Sequence, residues 1–457
     1  MNLMQISTAA EGLEAEYIGE DVSFSGVSTD TRSIAGGELF VALRGEHFDG
    51  HDFLDEARKR GAVAAMVSRR VEMGLPLLLV DDTRLGLGKL ASLWRSGCPA
   101  AMVAVTGSNG KTTAKEMVAA ILRQRGPVLA TVGNLNNDIG VPLTLLRLRD
   151  EHQFAVVEMG ANHPGEIDYL TRMARPDVAL ITNAAAAHLA GFGDIQGVAR
   201  AKGEIFAGLS EDGVAVINHD DAMASIWRKL ASHVRVVTFG LSEGADVGAD
   251  WHANSNGSRM CLRTPAGELE LQLPLPGRHN VMNALAATAA ALSVGAEMDH
   301  VRSGLESLQP VRGRLQFRAG AGGFRILDDT YNANPGSLQA ALDVLASCGG
   351  EKWLVLGDMG ELGGDSAWLH EEAGRQARLA GVDRLYTLGF YGRYAVPAFG
   401  EGAQHFSDWQ ELVATLRHDL GANCTLLVKG SRAMQMERIV DALLEEGNSM
   451  SVESRGA

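Results

Sequence analysis

One octapeptide constrains this chain more than any other stretch: Thr106-Gly107-Ser108-Asn109-Gly110-Lys111-Thr112-Thr113, after the apolar run Ala100 to Val105 and before the helix-like Ala114 to Arg123. Strand, glycine loop and helix in that order make a phosphate cradle. Backbone N–H groups of Gly107, Ser108, Asn109 and Gly110 can close on phosphate oxygens, and the helix start adds partial positive charge. Lys111 can reach the terminal phosphates, Thr112 is placed to hold Mg²⁺, and Thr113 continues the helix start. Val105 stands where the general pattern has its first glycine, so the loop is the shorter Thr-Gly-x-x-Gly-Lys-Thr-Thr form. A plain glycine turn would explain Gly107 and Gly110 but gives no reason for Lys-Thr-Thr.

A chain of 457 residues exceeds one ordinary core. Three α/β segments divide it: 1–82, 83–310 and 311–457. The first has strand-like runs at Leu39 to Leu43, Val63 to Val67 and Leu77 to Val80. The second alternates strands and helices from Ala100 to about Gly240, then has a strand-like region from Asp246 to Leu273 and an alanine-rich helix ending near Val294. The third repeats the alternation, with strands at Phe324 to Leu327, Trp353 to Gly357, Arg384 to Leu388 and Thr425 to Val428. A mostly parallel sheet is expected around the phosphate loop. The polar tail from Glu445 to Ala457 is expected to fray.

A net charge of −15 argues against a general nucleic-acid binder. Four dispersed cysteines suggest neither a zinc site nor a disulfide framework. The start lacks a basic region followed by an apolar core, and no run reaches the ~18 apolar residues of a membrane span. A cytoplasmic enzyme without membrane insertion is expected, with monomer as the default.

Several polar clusters fall at predicted strand ends, where doubly wound sheets place ligands. Glu158 ends the Phe154 to Val157 strand and can hold Mg²⁺, although a solvent-facing acid at a strand end is the commoner case. His188 follows Thr182 to Ala187 at the same edge. Lys202 sits on a predicted helix and would ordinarily be a solvated charge. Asp328-Asp329-Thr330-Tyr331-Asn332-Ala333-Asn334-Pro335 is denser in donors and acceptors than a turn requires, and Lys429-Gly430-Ser431-Arg432 can bind a carboxylate or phosphate. In the first segment, Ser28 to Ser33 and Gly45 to His51 suit a diphosphate or sugar, or are solvated turns.

Together these stretches resemble the Mur ligases, the ATP-dependent amide-forming enzymes of peptidoglycan precursor synthesis, over nearly the whole chain. The phosphate loop, Gly133-Asn134-Leu135-Asn136-Asn137-Asp138-Ile139-Gly140-Val141-Pro142 and Gly277-Arg278-His279-Asn280-Val281-Met282-Asn283-Ala284 carry the resemblance. Asp-Asp-Thr-Tyr-Asn-Ala-Asn-Pro, Ala-Lys-Gly-Glu-Ile-Phe and Lys-Gly-Ser-Arg look like those of the dipeptide-adding members, and the Asp-Asn-Pro-Arg signature of the diamino-acid-adding members is absent.

The resemblance implies a small N-terminal α/β domain for a UDP-linked substrate, a central P-loop ATPase domain and a C-terminal Rossmann-like domain. It implies UDP-N-acetylmuramoyl-tripeptide and D-Ala-D-Ala as substrates, with ATP and two Mg²⁺ ions. Ser28, Asp30 and Arg32 would bind the UDP end, and Asn136 and Asn137 would lie along the same substrate. Thr112 and Glu158 match ligands of one Mg²⁺; His188 and Lys202, the latter as a carbamate, match those of a second. Lys111, His188 and Lys202 would serve catalysis. Asn280 matches an adenine contact, Arg314 and Asp329 match residues closing over the nucleotide, Asn332 and Asn334 are candidates for the dipeptide, and Lys429 is expected to bind substrate from the closing C-terminal domain. A folylpolyglutamate synthase-like ligase and a P-loop switch protein are the alternatives; the second leaves Asn136, Asn137 and the C-terminal motifs unexplained.

Overall fold

The computed structural model describes residues 3–185, 189–254, 257–320 and 322–449. Six parallel strands form the central sheet, in the spatial order Arg235–Phe239, Val214–Asn218, Val178–Ile181, Ala101–Thr106, Phe154–Glu158 and Val128–Ala130. Strands covered on both faces read as unbroken apolar runs, which is why Ala101–Thr106 carries no alternation. Strand order reverses around Ala101–Thr106, so the phosphate loop leaves the sheet at its topological switch point.

The Arg278–Ser293 helix packs against the phosphate-loop helix, Lys111–Arg123, beneath this sheet. It is buried on nearly every side because Ala284, Ala286, Ala287 and Ala289 to Ala291 leave room for close neighbours on all faces. The strand-like region after Asp246 is a three-stranded antiparallel meander, Gly248–Asn254, Gly257–Thr264 and Gly267–Leu273.

The N-terminal segment forms a five-stranded sheet, with Gly26–Ser28, Glu38–Val41, Ala64–Val67 and Leu77–Leu79 parallel and Glu16–Ile18 antiparallel at one edge. The Thr83–Ser96 helix joins it to the centre. Asp82 starts that helix by accepting from the N–H groups of Arg84 (2.7 Å) and Leu85 (3.0 Å). Leu87 and Leu90 on this helix complete one continuous core that contains Leu39, Met66 and Leu78 on one side and Met102 and Ala104 on the other.

The C-terminal sheet runs Gln316–Ala319, Arg325–Asp329, Cys424–Lys429, Glu351–Gly357, Arg384–Leu388 and Ala403–Phe406, with the first strand antiparallel. Successive side chains fall into separate cores above and below it, Leu327 and Leu354 in one, Ile326 and Val355 in the other. Burying each such aliphatic side chain contributes about 1.5–3 kcal/mol. None of these core residues belongs to the central cores.

The Glu437–Ser449 helix continues through the first part of the tail expected to fray, because its apolar stripe, including Ile439, Val440 and Leu443, docks on the C-terminal sheet. Residues 450–457 of that tail lie outside the described residues. No helix among the described residues is long and apolar enough to cross a membrane.

Candidate active site

Both loop glycines are forced. Gly107 has φ 145° and a Cβ there would lie 1.9 Å from Thr182 Oγ1, while Gly110, at φ 80°, would place one 2.4 Å from Asn283 Oδ1. The loop is held open from the neighbouring strand: Ser108 N donates to Asn183 O (2.9 Å), Asn109 N to Asn183 Oδ1 (3.0 Å) and Thr182 Oγ1 to Asn109 O (2.6 Å). Lys111 curls back so that Nζ donates to Gly107 O at 2.7 Å. Burial pushes its pKa down from the usual lysine value; Glu158 counters this and Arg314 adds to it.

Glu158 is the last residue of its strand and is 2 % exposed, so it is not the solvent-facing acid the alternative account allowed. Its carboxylate accepts from Thr112 Oγ1 and from Asn136 Nδ2, both at 2.8 Å, and its own N–H donates to Thr131 Oγ1 (3.0 Å). A buried carboxylate and a hydroxyl at the mouth of a phosphate loop are the sparse hard-oxygen set Mg²⁺ takes when phosphates complete its shell. Among the described residues no group of three or more His, Cys, Asp or Glu could hold a metal by itself. The site therefore fits a cation shared with a phosphate ligand.

Lys202 departs from the solvated charge expected of a helical lysine. It is 1 % exposed, lies 5.4 Å from the Phe192 ring centroid, and donates to Ala161 O at 3.4 Å. Burial, reinforced by the nearby Lys111 charge, lowers its pKa to about 7. His188 lies outside the described residues. Asn136 is fixed on Glu158, whereas Asn137 Oδ1 accepts from the N–H groups of Ile139 and Gly140 at the entry to the Gly140–Leu145 helix. Asn280 is buried at the head of the alanine-rich helix and donates to Pro276 O at 2.7 Å.

The C-terminal unit supplies the opposite wall. Arg314 crosses to the phosphate loop, where Nη2 donates to Thr112 Oγ1 at 2.9 Å, and its guanidinium lies 4.1 Å from the Tyr331 ring centroid. Asn334 Nδ2 donates to Asn109 Oδ1 at 2.8 Å. Buried Lys429 pairs with Asp329 Oδ2 and donates to Asn332 O at 3.0 Å, which braces the turn carrying Asn332. The two walls enclose a cleft of about 1020 Å³. Ser108 to Thr113, Asn136, Asn137, Glu158, Asn280, Arg314, Asp329, Asn332, Asn334 and Lys429 all line it.

Ser28, Asp30 and Arg32 do not line the cleft. Asp30 caps the 3-10 turn Thr31–Ser33 and forms an exposed ion pair with Arg32 at 2.6 Å, while Ser28 donates to Asp30 O at 3.0 Å. Other lining residues carry no individual role in the sequence reading: Asp138, His279 and Asn283 enter it only as parts of longer stretches, and Arg84, paired with Asp138, and Glu361 not at all. Asn283 was findable, since it follows Asn280 by three positions and shares its helix face. His279 is held to a pKa of about 4 by desolvation and is neutral near pH 7. Glu361 has no local signal.

Residues 23–124 match the description Mur ligase family, catalytic domain; residues 105–291 match Mur ligase middle domain; residues 313–432 match Mur ligase, glutamate ligase domain. The UDP-N-acetylmuramoyl-tripeptide--D-alanyl-D-alanine ligase of Escherichia coli is 47 % identical over 446 residues, spanning 97 % of this chain and 98 % of that one. The crystal structure of MurF from Acinetobacter baumannii superposes with a TM-score of 0.91 at 37 % identity, covering 97 % of this chain and 99 % of that one. MurF from Thermotoga maritima in complex with ADP gives a TM-score of 0.83 at 29 % identity, over 93 % and 98 % of the two chains.

Proposed function

The chain belongs to the Mur ligase family, and we propose that it joins D-alanyl-D-alanine to the terminal carboxylate of UDP-N-acetylmuramoyl-tripeptide at the expense of ATP. The observation that carries this reading is the meeting of two walls in one cleft, with Arg314 reaching Thr112 and Asn334 reaching Asn109. A phosphate loop closed by a separate domain is what a two-stage ligation needs. A carboxylate is a poor electrophile, so it first takes the γ-phosphoryl group; the acyl phosphate then loses phosphate as the amine nitrogen bonds to the acyl carbon. The intermediate hydrolyses readily, and a closed cleft excludes water while the amine is aligned.

In this reading the loop amides and Lys111 hold the phosphates, Asn280 meets the adenine, and Arg314 and Asp329 close over the nucleotide. Asn136 and Asn137 face the tripeptide, Ser28, Asp30 and Arg32 the UDP end, and Asn332 and Asn334 the dipeptide, with Lys429 binding substrate from the C-terminal wall. Thr112 and Glu158 would hold one Mg²⁺, and His188 with a carbamate on Lys202 a second; bound there, metal ions offset charge on the transferred phosphoryl group. The lowered pKa of Lys202 supports the carbamate, because only a neutral amine adds CO₂ and only the resulting anion suits a cation. The protein would act as a cytoplasmic monomer.

Phosphate release from Mg²⁺-ATP, measured with each substrate alone and with both, tests the reading. Release that needs both, with a product heavier by the dipeptide, is the expected result. Release indifferent to both would overturn it in favour of a P-loop switch.

A further inference from the structure

The edge strand beside Glu158 ends one residue early for its register. Val128–Ala130 pairs in parallel with Phe154–Glu158, Ala130 against Val156, and Thr131 N still donates to Val156 O at 3.0 Å. In a parallel ladder the Thr131 carbonyl would then accept from Glu158 N, two residues further along the neighbouring strand. Glu158 N donates instead to the Thr131 hydroxyl at 3.0 Å, and Thr131 O accepts from Lys115 Nζ at 2.7 Å.

Lys115 reaches Thr131 from the phosphate-loop helix, four residues past Lys111. It is 1 % exposed, and its Nζ also pairs with Glu116 Oε1 at 2.5 Å. A buried amine costs solvation that an apolar side chain of the same length would not, so packing alone gives no reason for a lysine at this position. What the amine adds is a hold on one carbonyl.

That hold decides where the chain goes next. With its carbonyl turned out of the ladder, Thr131 ends the sheet edge, and residues 132–137 leave for the cleft, which Asn134, Asn136 and Asn137 line. Asn136 arrives in a tight seat. Its O accepts from Gly160 N at 2.8 Å, its Nδ2 donates to Glu158 Oε1 at 2.8 Å, and a Cβ at Gly160 would fall 2.9 Å from its Oδ1. Returning the Thr131 carbonyl to the ladder would move the root of this turn and carry Asn136 off Glu158.

We propose that Lys115 is a positioning residue for the first stage of ligation: by holding the Thr131 carbonyl out of the strand ladder, it aims the 132–137 turn into the cleft and seats Asn136 against Glu158. The inference rests on the ligase reading above, in which Asn136 faces the tripeptide. Lys115 does not itself line the cleft; it acts through Thr131. One lysine on the helix that binds ATP thereby registers the γ-phosphoryl group against the carboxylate that takes it.

The test uses the full chain with Mg²⁺-ATP, UDP-N-acetylmuramoyl-tripeptide and D-Ala-D-Ala, and reads kcat and the KM of each substrate. Lys115→Met keeps the length and removes the donor. It is expected to raise the tripeptide KM about tenfold or more, while the KM values for ATP and dipeptide shift less than about threefold. Lys115→Arg, which still offers donors to Thr131 O, should recover most of the loss. Because Lys115 acts through Asn136, adding Lys115→Met to Asn136→Ala should cost less than about twofold beyond Asn136→Ala alone. Hydrogen exchange reads the same device without turnover: Lys115→Met should speed exchange across residues 132–137 and leave residues 107–113 as in wild type. If Lys115→Met does not fold, Thr131→Val decides. That variant keeps Lys115 but takes the hydroxyl from Glu158 N, which then competes for the carbonyl at 131, and the same selective rise in tripeptide KM is expected. A tripeptide KM unchanged in the deciding variant, an equal rise in the ATP KM, or full additivity with Asn136→Ala would overturn the inference. Wild-type protein that ligates nothing would instead sink the ligase reading itself.

Discussion

A lysine on a helix surface costs nothing to place, whereas Lys202 lies buried beside another cation, Lys111, and burial brings its pKa to about 7. The sign of the stability effect follows from proton counting. Between pH 7 and the ordinary lysine value the unfolded chain binds more protons at this residue than the folded one, so its contribution improves as pH rises through that window and is flat below it. The neutral fraction grows over the same rise, and CO₂ adds only to it. Activity is therefore expected to climb from about pH 6 to about pH 8, to fall in CO₂-depleted buffer and to return with bicarbonate; a rate indifferent to bicarbonate at every pH would count against the carbamate. Glu158→Gln keeps the shape that meets Thr112 and Asn136 but removes the charge, so kcat should drop roughly 100-fold or more with a raised Mg²⁺ requirement and little change in melting. The two residues were not equally legible. Glu158 follows an apolar strand that any reader can mark, while the burial of Lys202 depends on Phe192 and Ala161, which its own sequence context does not announce.

At the level of elements, local chemistry was legible and spatial order was not. The buried parallel strands announce themselves as apolar runs, and the phosphate loop announces itself because its glycines have no room for a Cβ. Strand order is set by which pairings the intervening helices allow. No residue in Cys424–Lys429 says that this last strand inserts between Arg325–Asp329 and Glu351–Gly357. That insertion puts the Lys429 turn beside the Asn332 turn and builds the cleft wall. The helix Pro335–Ala346 shows how one side chain serves both levels: Asn334 accepts from Ser337 N at 2.8 Å as its N-cap, while Nδ2 reaches Asn109. Asn334→Ala should cost about 1 kcal/mol and lower the C-terminal melting transition by about 2–4 °C. Asn334→Asp keeps the cap but has no donor for Asn109, so it should melt near wild type and show a weakened ATP KM. A thermal defect in the Asp variant as large as in the Ala variant would mean that the cross-cleft bond, and not the cap, holds the helix.

Across the whole molecule the cores are unevenly joined. The N-terminal and central units share one continuous core through Leu87 and Leu90, whereas the C-terminal unit keeps its core residues to itself. Its contacts with the central unit include the hydrogen bonds of Arg314 to Thr112 and of Asn334 to Asn109, and among the described residues no buried apolar core runs across them. An interface of that kind is the sort across which domains move, since little apolar area is exposed when it opens. Nucleotide binding is then expected to favour the closed arrangement because Arg314 gains a phosphate partner there, and a ligand shifts such an equilibrium only by its differential affinity for the two states. A hydrogen bond to a charged group contributes about 1.5–3 kcal/mol. Arg314→Ala should therefore raise the ATP KM by about tenfold or more and leave the melting of each unit nearly unchanged. Solution scattering supplies the conformational readout. Wild-type protein should contract on adding Mg²⁺-ATP with UDP-N-acetylmuramoyl-tripeptide, and Arg314→Ala should contract less at the same nucleotide occupancy. Superimposable wild-type profiles with and without saturating ligands would mean that the cleft is already closed, and Arg314 would then be a nucleotide contact that moves nothing.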